Sequence, residues 1–295
     1  LNMKHKLLFI SQNPGGIGNR IRNMVAGMMA ANNFGPYISL NDWRVLWCDA
    51  WRSCGEKNTS NKFTDLFDMA HYQATEKQIK LLEDEKKIFT IVKNWWWRTP
   101  RPWTDNPNNK LPKVNLKHWE EANKKWLGKG LDYLYDRTPQ EIIEIITPYF
   151  EQIKFNPQIK KAADSFFNKN FSNKDIAVQI RAWKEPMSAS RRCLLDINSI
   201  ISTVNRYPNS KVYITSDAPE LALTLKDAIS NKVVMNDLDY NHDTNEYTGM
   251  RLDQRTWVKD MLILSKFKTL ILPAWSTFGE MAFWLGGGKA KTVVI

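Results

Sequence analysis

Cysteine and long apolar runs are both scarce in this chain of 295 residues. Cys48, Cys54 and Cys193 are odd in number and lack zinc-type spacing, so we expect free thiols and no disulfide framework. No stretch approaches the roughly 20 uncharged apolar residues that a membrane-spanning helix needs. Residues 1–6 lead into a predicted strand instead of the apolar segment of a signal peptide, so we expect a cytoplasmic protein.

Histidine is scarce too, and its placement argues against metal or triad chemistry. His5, His71 and His118 are isolated in the sequence, and no Gly-x-Ser-x-Gly segment accompanies them. Residues 237–243 hold three aspartates and one histidine, but their spacing fits neither a calcium loop nor a zinc site. We therefore expect a solvated loop there and no bound metal.

Positive charge is in excess. The 42 lysines and arginines outnumber the 31 aspartates and glutamates, which gives a formal net charge of +11 and favours anionic partners. The basic residues are spread along the chain, and no nucleic-acid-binding motif is present, so nucleic acid is not the expected partner. An electropositive cleft for a nucleotide diphosphate and peripheral association with an anionic membrane both stay open.

The second half of the chain alternates predicted strands with predicted helices. The strands are 176–180, 211–215, 233–235, 269–272 and 292–295, and the helices are 192–204, 219–229, 257–267 and 278–285. Such alternation predicts a doubly wound parallel sheet. Ligands of these sheets bind beyond the carboxyl ends of the strands, where Arg181, Asp217 and Ser276 lie.

These strand-end residues suit a nucleotide, although each also has a structural interpretation. Arg181 can hold a phosphate bidentately or form a domain-interface salt bridge. Asp217 can cap the next helix or accept the N1–H and the 2-amino group of guanine. Ser276 and Thr277 can cap a helix or donate to a diphosphate at its N-terminus.

The first half begins with a strand, residues 7–10, and a predicted helix, residues 21–31, joined by a glycine-containing turn. Such a turn either binds phosphate or has a purely structural role. Farther along, Trp96 and Trp97 lie in a run of three tryptophans near prolines, which predicts a loop with an exposed ring. That ring either packs between domains or offers a platform for a sugar acceptor.

The segment 154–174 is rich in asparagine and lysine and precedes the regular alternation, so we place a domain boundary there. This division predicts an N-terminal domain of residues 1–165 and a C-terminal domain of residues 166–295.

Five segments together resemble the fucosyltransferase superfamily, which includes the α1,2-, α1,6- and protein O-fucosyltransferases. They are Gly15-Gly16-Ile17-Gly18-Asn19-Arg20, Val178-Gln179-Ile180-Arg181, Tyr213-Ile214-Thr215-Ser216-Asp217, Asp260 with Leu264-Ser265, and Trp275-Ser276-Thr277-Phe278-Gly279. The resemblance implies an α/β, GT-B-like glycosyltransferase with two Rossmann-like domains facing a cleft. It also implies inversion at the sugar carbon, no metal and no cofactor, and a GDP-fucose donor held mainly by the C-terminal domain. The N-terminal domain is then the acceptor side, where a glycan hydroxyl receives fucose.

The resemblance assigns roles residue by residue. Arg181 matches the arginine that binds the β-phosphate, Asp217 the guanine-binding acid, and Ser276 and Thr277 the phosphate-contacting pair. Gly16, Gly18 and Asn19 match the loop that lines the cleft. We nominate Glu185, close after Arg181, as the base that deprotonates the acceptor.

The chain departs from the family at Gln179 and at the two residues after Arg181: Ala182 and Trp183 stand where the family often has a second arginine or an acidic residue. Gln179 stands where the family usually has histidine, although glutamine can still bond the donor's base or ribose. The change at Gln179 leaves open transfer from another GDP-sugar or a UDP-sugar. A non-catalytic sugar- or nucleotide-binding module is the other alternative.

Overall fold

The structure is a computed structural model that describes residues 7–11, 17–18, 20–22, 24–25, 37–40, 63–69, 88–91, 138, 140–182, 196–236, 254–273 and 276–295. The described residues divide into two compact units, the first ending at Asn156 and the second running from Pro157 to Ile295. The boundary predicted between residues 165 and 166 lies inside the first helix of the second unit, Pro157–Asn170. The asparagines and lysines that marked the boundary in the sequence lie largely on this helix.

The first unit contains a parallel sheet of three strands. Its elements are β1 (Leu7–Ser11), β2 (Tyr37–Leu40), α1 (Phe63–Leu66), β3 (Ile88–Ile91) and α2 (Gln140–Glu151). The strand order is β2-β1-β3, so β1 is central, with Leu8 opposite both Ile38 and Ile88. A central first strand with parallel neighbours on both sides is the Rossmann-like arrangement that the family resemblance implied for this half.

Helical residues follow β1. Ile17 and Gly18 are already helical, so this helix begins before residue 21, where the sequence pattern placed its start. Ile17, Ile21 and Met24 recur at helical spacing and are buried, which explains the earlier start. Gly18 is a buried helical residue in this unit.

The second unit contains a parallel sheet of five strands covered by helices. Its elements are α3 (Pro157–Asn170), β4 (Ile176–Ile180), α4 (Ile197–Val204), β5 (Val212–Ser216), α5 (Pro219–Ala228), β6 (Val233–Met235), α6 (Gln254–Leu264), β7 (Thr269–Leu272), α7 (Thr277–Leu285) and β8 (Lys291–Val294). The predicted strands and helices are all present in this region, with shifted ends.

The strand order in this sheet is β6-β5-β4-β7-β8. The chain moves outward from β4 to β6 and then crosses back to the other side of β4, where β7 and β8 lie. The carboxyl ends of β4 and β7 therefore flank the point where the strand order reverses. Open α/β sheets bind their ligands in the crevice at this point.

The two faces of this sheet differ in polarity. Alternate side chains, among them Val178 and Ile214, join the apolar core with Ile200 of α4 and Leu225 of α5. The side chains between them carry polar groups toward the carboxyl ends of the strands. Among the described helices, none combines the length and the apolar character needed to cross a bilayer.

Candidate functional site

The first part of the site is an ion pair at the ends of β4 and β5. Ile180 and Ser216 are opposite each other in the parallel register, so Arg181 and Asp217 follow as the next pair. Arg181 Nη1 donates to Asp217 Oδ2 at 2.7 Å, and the Ala182 backbone N–H donates to Oδ1 at 2.6 Å. The side chains are 20% and 9% exposed, so the pair lies in a partly desolvated position where charge-assisted bonds are strong.

The second part joins β4 to the loop after β7. Gln179 Nε2 donates to Ser276 Oγ at 2.8 Å, and both residues are buried. The same hydroxyl accepts a longer bond, 3.5 Å, from the Gly279 backbone N–H as the N-cap of α7.

Gly279 is the residue that lets Gln179 lie against α7. A Cβ built on Gly279 would come within 2.6 Å of Gln179 Oε1 and 2.9 Å of a Leu272 methyl group. Gln179 Oε1 itself is buried and accepts no hydrogen bond from any described residue. The site thus contains a buried acceptor beside a helix N-terminus.

The start of α7 is suited to an anion. Ser276 has extended backbone angles, and Thr277 is the first helical residue. The first N–H groups of a helix have no intrahelical acceptor and carry a partial positive charge. This helix start follows β7, and Arg181 follows the neighbouring strand β4, so both strands at the switch point are followed by a positive group.

Two buried carboxylates near the strand ends had no role in the sequence-based site. Glu280, in the first turn of α7, is 5% exposed. Asp260 of α6 accepts hydrogen bonds from Tyr213, Thr215 and Asn236 at 3.1, 3.3 and 2.6 Å. Asp260 belongs to the segments that carry the family resemblance, but the resemblance assigned it no role. The signal for a role is its position among apolar residues of a helix, since a buried carboxylate needs hydrogen-bond donors.

Asp260 links the polar face of the sheet to α6. Lys259 also donates to the side-chain oxygen of Asn236 at 2.7 Å, so one network joins α6, β5 and the residue after β6. This network fixes the ends of β5 and β6, and therefore the backbone that leads to Asp217.

In the second unit the structure pairs Arg181 with Asp217 and Gln179 with Ser276, next to Thr277 at the start of α7, and it places Gly18 in the first unit. The other predicted site residues, Gly16, Asn19, Trp96, Trp97 and Glu185, lie outside the described residues, as does the acidic stretch 237–243. Within the described part of the chain, no three histidine, cysteine or acidic residues are close enough to hold a metal ion.

Comparison with solved structures gives matches over nearly the whole chain. NodZ α-1,6-fucosyltransferase, co-crystallised with GDP, is 17% identical with a TM-score of 0.51, over 95% of this chain and 92% of that one. Fucosyltransferase NodZ from Bradyrhizobium is 15% identical with a TM-score of 0.52, over 95% and 93%. POFUT1 in complex with GDP-fucose is 12% identical with a TM-score of 0.51, over 100% and 99%. No family profile and no curated protein sequence matches the chain.

These matches identify the class of fold. The chain is an α/β protein with a Rossmann-like parallel sheet in each unit, and its fold is that of the fucosyltransferase structures. The predicted fold class and the resemblance are therefore confirmed at the level of the fold. The facing of two domains across a cleft, the roles of the two domains and the roles of the individual site residues stay predictions.

Proposed function

We propose that this protein is an inverting, metal-independent glycosyltransferase that moves fucose from GDP-fucose to a hydroxyl of a glycan. One observation carries the proposal: the two strands that flank the switch point of the second sheet are followed by groups suited to a diphosphate, Arg181 after β4 and the Ser276-capped start of α7 after β7. The fold around them is shared with a protein co-crystallised with GDP and with another in complex with GDP-fucose.

In this proposal the diphosphate lies between Arg181 and the start of α7. Negative charge builds on the β-phosphate as the sugar leaves, and the guanidinium with the N–H groups of Thr277 and its neighbour stabilises it. Ser276 donates its O–H to the same phosphate. The groups are held by bonds that already exist in the fold, so little reorganisation accompanies the reaction.

The chemical step breaks the bond between the fucose C1 and the β-phosphate oxygen, whose electron pair leaves with GDP. The acceptor oxygen forms a bond to C1 from the opposite face, which inverts that carbon. The acceptor's proton passes to a carboxylate, for which we propose Glu185. We propose Gly16, Gly18 and Asn19 as further donor contacts and Trp96 and Trp97 as an acceptor platform.

Calorimetric titration with GDP, GDP-fucose and UDP, each with excess EDTA, tests the donor. Selective binding of GDP and GDP-fucose, followed by transfer to a glycan, supports the proposal. Binding of UDP alone favours a UDP-sugar donor, and sugar-nucleotide binding without transfer or hydrolysis favours a non-catalytic module. Binding of neither nucleotide rejects the proposal.

The role of Arg181 gives a direct mutational prediction. Arg181→Ala should lower the rate of transfer by about 100-fold, since one well-placed donor to the developing charge contributes about 3 kcal/mol. Arg206→Ala is the matched control because it removes the same charge at an exposed turn and should leave the rate unchanged. Circular dichroism checks that both variants fold. Near-normal turnover by folded Arg181→Ala contradicts the mechanism.

A further inference from the structure

We infer that Asp217 is a positioning residue for Arg181 and does not read the nucleotide base. The inference rests on the proposed function and deepens it, because it separates the group that recognises the diphosphate from the group that recognises the nucleobase. It replaces the guanine-binding role that the sequence resemblance implied for this aspartate.

The first argument is the occupancy of the carboxylate. Oδ2 accepts from Arg181 Nη1 at 2.7 Å, and Oδ1 accepts from the Ala182 backbone N–H at 2.6 Å. Recognition of guanine by a carboxylate uses both oxygens in one plane, one for N1–H and one for the 2-amino group. In this structure each oxygen of Asp217 already accepts a short bond from the segment that follows β4, so guanine would have to add a second donor to both oxygens of a side chain that is 9% exposed.

The second argument is the place of these bonds in the fold. The register of β4 and β5 sets Asp217 beside Arg181, so the pair is an extension of the sheet beyond its last paired residues, Ile180 and Ser216. One carboxylate thereby fixes the guanidinium and the backbone next to it at the same time. The Asp217 side chain is 9% exposed and accepts two hydrogen bonds, so its own position is fixed and it can orient Arg181.

The third argument concerns the orientation that the pairing gives to the arginine. A guanidinium has five N–H donors in a planar fork, and Asp217 Oδ2 accepts from one terminal nitrogen. The bond sets the plane of the fork. An arginine held in this orientation loses less conformational entropy when it binds a phosphate than a mobile arginine does.

A double-mutant cycle on nucleotide binding tests the inference. Affinities for GDP and for IDP, which lacks the 2-amino group, are measured for the wild type, Asp217→Ala, Arg181→Ala and the double variant. We expect Asp217→Ala to weaken both nucleotides equally, by about tenfold, which corresponds to about 1.4 kcal/mol. In the Arg181→Ala background the same change should weaken binding by less than about twofold, since its effect passes through the arginine.

The control is Asp227→Ala, which removes an exposed acid of α5 and should change neither affinity. If Asp217→Ala fails to fold, Asp217→Asn replaces it in the cycle, because the amide keeps the size and one acceptor. The inference is overturned, and the proposed function is not, if the Asp217 variant loses more affinity for GDP than for IDP. Additive effects of the Asp217 and Arg181→Ala changes have the same meaning. A wild type that binds neither nucleotide overturns the proposed function together with it.

Discussion

Gly279 has no room for a side chain, and the reason lies in a different strand. Gln179 reaches from β4 across to the first turn of α7, where its Oε1 occupies the space that a Cβ would need. Leu272 closes the same space from β7. The glycine is therefore explained by the close approach of Gln179 and not by an unusual backbone angle.

This packing predicts the effect of Gly279→Ala. The added methyl group must displace Gln179 or Leu272, so we expect a loss of about 1–3 kcal/mol in the free energy of unfolding. The higher helix propensity of alanine compared with glycine offsets less than about 1 kcal/mol of that loss. Urea denaturation measures the difference.

Leu223→Ala, at an exposed position of α5, is the control and should change stability by less than about 0.5 kcal/mol. In a Gln179→Ala background the cost of Gly279→Ala should fall, because one of the two obstacles is gone. An equal cost in both backgrounds would show that Gln179 does not limit the space.

At the scale of elements, the helices of the second unit begin with caps of different kinds. Asp196 caps α4 from an exposed position and accepts from the backbone N–H of Asn198 at 3.0 Å. Ser276 caps α7 from a buried position and also accepts from Gln179. Loss of the second cap leaves a buried donor without its partner.

The two caps therefore predict unequal losses. Asp196→Ala should cost about 1 kcal/mol, the usual value of an N-cap. Ser276→Ala should cost about 2–4 kcal/mol, since the unpaired amide of Gln179 adds a desolvation penalty of about 1–3 kcal/mol. Urea denaturation of both variants checks the order, and equal losses contradict the role of the Gln179 bond.

Asp175 ties the turn before β4 to the start of β5. Its Oδ2 accepts from the backbone N–H and the hydroxyl of Ser172 at 2.7 and 2.9 Å, and its Oδ1 accepts from the Lys211 backbone N–H at 2.8 Å. Burial by itself raises the pKa of Asp175, but these bonds and the charge of Lys211 outweigh it and hold the pKa below 3.8.

A lowered folded-state pKa makes a contribution to stability that is present above the unfolded pKa. The contribution falls as the pH drops from about 5 through 3.8 to the folded value, because the unfolded state then binds the proton more tightly. Asp175→Asn should therefore be less stable than the wild type at pH 7 and show a smaller loss between pH 5 and pH 2. Urea denaturation across this range measures both slopes; identical slopes contradict the assignment.

At the scale of the whole molecule, the net charge of +11 admits several anionic partners. A compact diphosphate site loses affinity gradually with salt, because few charges are neutralised and the site is partly desolvated. A protein that lies along duplex DNA loses about 10³–10⁵ in affinity between about 50 and 200 mM salt.

We therefore expect GDP affinity to change by less than about tenfold over that salt range. Random-sequence duplex DNA should bind weakly at the highest salt concentration of this range. Titrations of both ligands at the same salt concentrations make the comparison. Tight DNA binding with a steep salt dependence contradicts the nucleotide-sugar function.

The sequence alone determined the strands and most of the helices of the second unit, because short apolar runs and apolar positions at helical spacing are local properties of the chain. The ends of the helices were less well predicted. The sequence placed the start of one helix at residue 192, whereas α4 begins at Ile197 after its Asp196 cap, and α6 begins three positions before the predicted residue 257. Gln254 explains why α6 begins earlier than predicted. Its side chain is buried in the fold, but because it is polar the apolar pattern of the sequence did not include it.

The tertiary structure decided which of the strand-end residues meet. Arg181 and Asp217 are 36 positions apart, and Gln179 and Ser276 are 97 apart. Their bonds follow from the strand order β6-β5-β4-β7-β8, which depends on the packing of helices on both faces of the sheet. Local pattern predicts that a residue ends a strand, but the partner is set by long-range packing, and so the pairing of Asp217 with Arg181 came from the fold.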